Sequence, residues 1–375
     1  MFSTNYVRHT MDNNDVFCLV HEGVTADLYI SSTDYDGVIR AAEDLRDDIQ
    51  RVTKESPILY TETDSLSRHT VLIGTIGHSP VIDLLIAQNK LDIEHVVGKW
   101  ESFVIQTVAE PLPGIEQGLV IAGSDKRGTI YGIYDLSEKI GVSPWYWWAD
   151  IPPIQQDSIY ITSGTYKQGE PSVKYRGIFI NDEGPSLMSW VRSNYPDFTH
   201  EFYESVFELL LRLKANYLWP AMWDNTFYED DVLNPAIADL YGIVIGTSHH
   251  EPMMRPHGDW KKHKKGPWDY HLNEQELYHF WKEGIRRGKH YESIVTLGMR
   301  GDGDEAMGGE LSFAEKISLL ERIVKDQRSI IADIQRLGLN DSQITQAAAD
   351  TLYKLRLDVS YDGITRSYLS QWNLS

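Results

Sequence analysis

Four segments of this chain repeat one pattern, an apolar strand-like run that ends in polar, chemically capable residues and is followed by a helical stretch. They are VKYRGIFIND (Val173 to Asp182), NYLWPAMWDN (Asn216 to Asn225), YGIVIGTSHHE (Tyr241 to Glu251) and SIVTLGMRGDGD (Ser293 to Asp304). Repeated strand, polar tip and helix is the arrangement of a (β/α) barrel, whose parallel strands gather their carboxyl ends at one face. The pattern therefore predicts Asp182, Trp223, Asp224, His249, Glu251, Arg300 and Asp304 around one pocket. Carboxylates, an aromatic surface and one arginine together suit hydrolysis of a sugar. The fold class read from the chain is α/β: an N-terminal α/β domain over residues 1–165, then an incomplete (β/α)8 TIM-type barrel over 172–345. A divergent tail occupies 346–375.

Composition narrows the partners. The 375 residues suffice for two domains with their own cores. A formal charge of -20 argues against a nucleic-acid partner, because phosphate binding needs a basic surface. Small anionic substrates stay open wherever positive charge is local. No run approaches the roughly 18 apolar residues of a membrane span. The N-terminal MFSTNYVRHTMDNND has no apolar stretch after a basic start, so no secretory signal is read and an intracellular location is expected for this form. Cys18 is the single cysteine, which excludes a disulfide within the chain, and its apolar run makes it a buried inert thiol. The 11 Trp and 21 Tyr supply flat faces that can stack on sugar rings, although any one Trp is better read as core.

Within the first domain, Val38, Ala42, Leu45, Ile49 and Val52 recur at three- and four-residue steps, predicting an amphipathic helix over Asp36 to Thr53. HTVLIGTIG (His69 to Gly77) reads as a strand, and Gly118 to Gly141 as strand, loop and helix. The loop GSDKRG lacks GxGxxG and a GK[ST] ending, so its glycines serve a tight turn and not a phosphate. WYWWADIPP (Trp145 to Pro153) reads either as a sugar platform or as an apolar plug between domains, and the burial habit of clustered aromatics favours the plug. Polar, turn-rich Gln155 to Pro171 marks the boundary. Further on, Asn273 with Glu276 and Ser312 with Glu315 have the spacing of capping boxes that open helices.

On an extended strand His249 and Glu251 share a side while His250 points the other way, which weakens a metal reading of SHHE. There is no HExxH, and GDGDE (Gly301 to Glu305) lacks the acidic pattern and twelfth-residue Glu of a calcium loop. The carboxylates therefore read as acid, base or hydroxyl-binding groups. Arg300 is placed to clamp a substrate carboxylate through two parallel hydrogen bonds, or to neutralise Asp302 or Asp304. RPHGDWKKHKKG (Arg255 to Gly266) holds five Lys or Arg residues in a loop that either draws an anionic glycan or is simply solvated.

At YRGIFINDE, LLLRLKANYLWPAMW, ADLYGIVIGTSHHEPM, WDY and TLGMRGDGDEAM the chain resembles glycoside hydrolase family 115, the xylan α-1,2-glucuronidases. VIAGSDKRGTIYGIYDLSEKIGVSPWYWWAD is similar to that family's N-terminal domain. The resemblance implies an inverting hydrolase that releases glucuronic acid or its 4-O-methyl ether from glucuronoxylan or derived acidic oligosaccharides, with no metal or organic cofactor. It puts Asp182, Trp223, Arg300 and Asp304 on family pocket positions: Arg300 for the uronate, Trp223 for the sugar face, Asp304 or Asp182 as one of the carboxylate pair. Glu251 is a third candidate carboxylate, and Asp224, His249, His250, Tyr353 and Lys354 complete the candidate binding set. In an inverting enzyme the two carboxyls stand about 6.5–9.5 Å apart with water between. The chain departs from the family after Lys354, where Leu355 stands in place of a glutamate, and the expectation is a C-terminally truncated or frame-altered product. An acidic-carbohydrate-binding remnant without turnover is the alternative, and a metal-dependent hydrolase using His249, Glu251 and Asp304 is a third reading.

Overall fold

The computed structural model describes residues 5–11, 15–263 and 265–335, without the side chains of Asp304 and Gln335. The chain divides into two compact units. Of the described residues, the first comprises those up to Arg176 with Phe207–Asn216 and Leu240–Gly242; the second comprises Gly177–Val206, Tyr217–Asp239 and those from Ile243 to Gln335. Two later segments thus belong to the first unit, which a single linear boundary does not capture.

The first unit holds β1 (Val7–Arg8), β2 (Val16–His21), β3 (Val24–Thr25), β4 (Asp27–Ile30), α1 (Asp36–Thr53), β5 (Leu59–Tyr60), β6 (His69–Thr75), α2 (Pro80–Ala87), β7 (Phe103–Ala109), β8 (Gln117–Gly123), α3 (Lys126–Lys139), β9 (Ile159–Thr162) and β10 (Thr165–Gln168). Its main sheet runs β10-β7-β8-β6-β4-β5, with β5, β4, β6 and β8 parallel, β7 antiparallel to β8 and β10 antiparallel to β7. Central strands buried on both faces read as unbroken apolar runs, and β6, HTVLIGT, is buried from its second residue onward. The predicted stripe Val38, Ala42, Leu45, Ile49 and Val52 of α1 is fully buried. Gly123 is required at the turn into α3, because a Cβ there would lie 2.1 Å from the backbone nitrogen of Thr129. Asp125 caps that helix by accepting from the Gly128 amide at 2.8 Å. Cys18 is half-buried on β2, and burial pushes its thiol pKa up, as befits an inert group.

Charge explains why the late segments fold here. Buried Glu101 accepts from Arg127 Nε at 2.6 Å, from an Arg176 guanidinium nitrogen at 2.5 Å and from Asn216 Nδ2 at 2.7 Å. Arg212 reaches buried Asp48 at 2.7 Å, and Lys214 Nζ reaches Asp135 at 2.6 Å. The plug expectation for WYWWADIPP is corrected: Trp145 and Trp147 are 44% and 43% exposed. In a run of turns neighbouring side chains fan outward, and Tyr146 is the one that faces the guanidinium groups of Arg51 and Arg212 while donating to Glu208 at 3.0 Å.

The second unit contains β11 (Gly177–Phe179), α4 (Ser186–Asn194), the start of α5 (His200–Arg212), β12 (Tyr217–Trp219), α6 (Phe227–Asp230), most of α7 (Asn234–Tyr241), β13 (Val244–Gly246), α8 (His257–Lys262), α9 (Tyr270–Gly288), β14 (Ser293–Ile294) and α10 (Phe313–Gln335). Its strands pair in parallel in the order β11-β12-β13-β14, so all four carboxyl ends lie on one side. Each predicted run supplies one strand, shorter than the run itself. Among the described residues this is an open four-stranded sheet, and a closed barrel is not formed. Close packing demands Gly246, where a Cβ would fall 1.6 Å from the Tyr217 hydroxyl. The Ser312–Glu315 capping box forms, with the Ser312 amide donating to Glu315 Oε2 at 2.8 Å. The Asn273 box does not: α9 starts earlier, capped by Asp269, and Asn273 Nδ2 instead donates to the carbonyls of Lys265 and Pro267. No helix among the described residues is long and apolar enough to cross a membrane.

Candidate functional site

Asp182 follows β11 and is fully buried. One carboxylate oxygen accepts from the amides of Met222 at 2.8 Å and Trp223 at 3.0 Å. The other accepts from the Asp224 amide at 2.9 Å and from the Asn225 amide and side-chain Nδ2, both at 2.7 Å. Successive N–H groups that converge in this way form an anion-holding concavity. Burial pushes the Asp182 carboxyl up, but the hydrogen bonds from Trp223, Met222 and Asn225 outweigh it and hold the group below its ordinary range. Asp182 is therefore an ionised, saturated acceptor.

The loop it holds carries Trp223, half-buried, with its ring centroid 4.4 Å from that of His250, which lies 4.0 Å from that of His249. Asp224 is exposed. The expectation that His249 and His250 face opposite sides is corrected, because β13 ends at Gly246 and both histidines sit in a turn where strand alternation does not apply. Glu251, 2% exposed, accepts from the Ser248 amide at 2.9 Å. Burial drives its pKa well above the ordinary carboxylate value and the charges of Asp182 and Asp259 add to the rise, against hydrogen bonds from Ser248. Burial thus favours the protonated form of Glu251. Met253 and Met254 follow with φ of 59° and 60°, a conformation costly for non-glycine residues. The segment is stitched to the neighbouring tip by the Met253 amide on the Thr296 carbonyl at 2.9 Å and by Thr296 Oγ1 on the Thr247 carbonyl at 2.6 Å.

Arg300 is half-buried at the fourth tip. Buried Gln327 of α10 grips the backbone ahead of it, accepting from the Gly298 amide at 2.7 Å and donating to the Gly298 carbonyl at 2.8 Å. Trp268 Nε1 donates to the Arg300 carbonyl at 3.0 Å. His257 Nε2 meets Asp302 at 2.8 Å, and burial nevertheless keeps His257 below its ordinary pKa. The backbone of Asp304 closes the short turn Asp302–Asp304; its side chain, like Tyr353 and Lys354, lies outside the described residues.

Arg255, Lys262 and Lys265 of the cationic segment are engaged in ion pairs. Arg255 is buried against Phe280, its guanidinium carbon 3.9 Å from the ring centroid, and pairs with Glu229 at 3.0 Å and Asp259 at 3.4 Å. Lys262 pairs with Asp230 at 2.5 Å and Lys265 with Glu276 at 3.6 Å. Glu229, Asp230 and Glu276 from elsewhere in the unit, and Asp259 from the segment itself, thus engage Arg255, Lys262 and Lys265. Among the described residues no group of three or more His, Cys, Asp or Glu is arranged to hold a metal.

Sequence reasoning missed Asn225, Ser248, His257, Trp268 and Gln327 as supports. Asn225 ends one of the four runs and Trp268 stands in WDY, so both were within reach. Gln327 gave no signal, being one polar residue on a long amphipathic helix.

No curated protein matches this chain. Among solved structures, a novel family GH115 4-O-methyl-α-glucuronidase, BtGH115A, with specificity for decorated arabinogalactans, is 34% identical with a TM-score of 0.72, covering 84% of this chain and 43% of its own. This chain therefore spans under half of that relative's length. A GH20 β-N-acetylhexosaminidase from Streptomyces coelicolor A3(2) is 8% identical with a TM-score of 0.48, covering 85% of this chain and 62% of its own, and adds nothing on chemistry. The model of glycosyl hydrolase family 115 matches residues 168–366, which take in all four strand tips. With that match and the 34% identity over most of its length, the chain belongs to glycosyl hydrolase family 115.

Proposed function

We propose that the second unit carries the uronate-binding half of the active site of an α-glucuronidase, a glycoside hydrolase that releases glucuronic acid or its 4-O-methyl ether from glycan side chains. The observation that carries this reading is the parallel order β11-β12-β13-β14, which brings the Asp182-held Trp223 loop, the two histidines and Arg300 to the same edge of one sheet. On this reading the four units are the first half of a (β/α)8 barrel. Arg300 grips the sugar carboxylate through a two-pronged, charge-assisted bond, and Trp223 offers its face to the ring. Asp304 is one of the two carboxyl groups that an inverting displacement requires, the other protonating the leaving oxygen or activating water in its place. Asp182 is excluded as the proton donor by its low pKa and filled lone pairs. Glu251 is buried and turned into the interior towards Ser248, which suits a structural role better than one that reaches a glycosidic oxygen.

The substrate class follows from Arg300, and xylan and uronate-decorated arabinogalactan are the two polymers to compare. The test is incubation with aldouronic oligosaccharides and with both polymers. Release of free uronic acid that disappears in Arg300→Ala and Asp304→Asn supports the reading. Binding of glucuronic acid with no release from any substrate would favour the alternative of a carbohydrate-binding protein.

A further inference from the structure

We infer that Asp182 is a positioning residue whose fixed negative charge shapes the Trp223 loop for sugar binding, and that it takes no proton in the reaction. The loop from Met222 to Asn225 turns four consecutive amides inward onto one carboxylate. Amides aimed at an interior anion leave the side chains between them no inward direction, which is why Trp223 and Asp224 sit half-buried and exposed while Asn225 is buried. Asn225 adds its side-chain Nδ2 to the same oxygen as its own amide. A neutral acid at this position would retain one hydroxyl donor facing N–H donors and lose acceptor capacity, so the loop geometry depends on ionisation.

The effect passes beyond the loop. Trp223 lies against His250, which lies against His249, so the orientation set at Asp182 reaches three rings on the pocket edge. The opposite end of the loop is held independently, with the Tyr203 hydroxyl donating to the Pro220 carbonyl at 3.0 Å, and Thr226 bonded to Asp230 through both its amide and its Oγ1 at 2.6 Å. Loss of the Asp182 charge therefore loosens residues 222–225 between two anchored ends and leaves the rest of the unit in place.

The assignment of a sugar-binding consequence rests on the proposed uronate pocket; the loop-holding role does not, and the experiment separates them. In the full chain, Asp182→Asn keeps the size of the side chain but turns acceptor capacity into a clashing donor. Amide hydrogen exchange of residues 222–225 is expected to accelerate at least tenfold against wild type while the β12 and β13 amides keep their protection. In wild type the same protection should hold at neutral pH and fall as acid protonates Asp182, below the ordinary carboxylate range. Calorimetric affinity for glucuronic acid should drop at least fivefold in the variant. If the chain turns over an aldouronic oligosaccharide, KM should rise at least fivefold and the acidic limb of the kcat/KM profile should remain. Unchanged exchange at 222–225 overturns the loop-holding role. A loosened loop with unaltered sugar affinity overturns its link to binding, and loss of the acidic limb with a protected loop makes Asp182 a proton-transfer group instead. Failure of wild type itself to bind or hydrolyse any uronide refutes the proposed function while the exchange result still decides the loop.

Discussion

Glu251→Gln should make this protein more stable at neutral and alkaline pH, by a margin that grows with pH. Glu251 is 2% exposed, and burial raises its pKa well above the ordinary value near 4.3. Between that value and the folded-state pKa, the unfolded chain gives up the proton and the folded chain keeps it. The stability that the neutral carboxyl contributes is therefore fully present below the unfolded pKa. It is lost as pH rises towards the folded one, at about 1.4 kcal/mol per pH unit. Glutamine keeps an acceptor for the Ser248 amide and has no proton to lose. From pH 5.5 to 7.5 the gap between variant and wild type should widen by about 2–3 kcal/mol for as long as folded Glu251 stays protonated. Urea unfolding of both proteins at three pH values reads the gap directly, because all other titrating groups cancel in the difference. Stability curves that run parallel across this range would mean that Glu251 is ionised in the folded state, and the interior-acid description would be wrong.

Glu101→Leu should cost about 3–5 kcal/mol, because it strands the guanidinium groups of Arg127 and Arg176 that the buried carboxylate now holds, and a thermal scan measures it. Ser312→Ala should cost about 0.5–2 kcal/mol by opening the capping box of α10, seen as faster amide exchange in that helix's first turn. Arg300→Lys should weaken glucuronic acid binding by about 1–3 kcal/mol while leaving neutral xylose nearly unchanged, a contrast that calorimetry resolves. Equal losses for both sugars would make Arg300 a structural residue.

What the sequence disclosed was set by how local each signal is. Periodicity exposed α1, whose apolar face is buried, and apolar runs exposed the four strands, of which β12, β13 and β14 are largely buried while β11 is exposed along its length. The polar tips were legible for the same reason: they interrupt an apolar run. Partnership was not legible. Asp182 reads in sequence as a reactive carboxylate, yet its chemistry is decided by amides some forty residues later, and backbone N–H groups leave no trace in residue identity. Arg255 looked like part of a cationic loop because Glu229 reaches it only through the fold, although its other partner, Asp259, stands four residues on in the same segment. The wrong capping box at Asn273 failed by competition, since Asp269 caps first and Asn273 is drawn to two carbonyls of the preceding loop. His250 was misplaced because strand alternation was carried past Gly246, where β13 stops.

The central claim is that this pocket edge serves hydrolysis of an α-linked uronic acid with inversion. Proton NMR of the anomeric region, recorded from the first minutes of reaction on an aldouronic oligosaccharide, tests it most directly. The account predicts β-configured glucuronic acid, or its 4-O-methyl ether, as the first product, followed by slow mutarotation to the α form, with no signal from Asp304→Asn. First appearance of the α anomer, or undiminished release by Asp304→Asn, would contradict it.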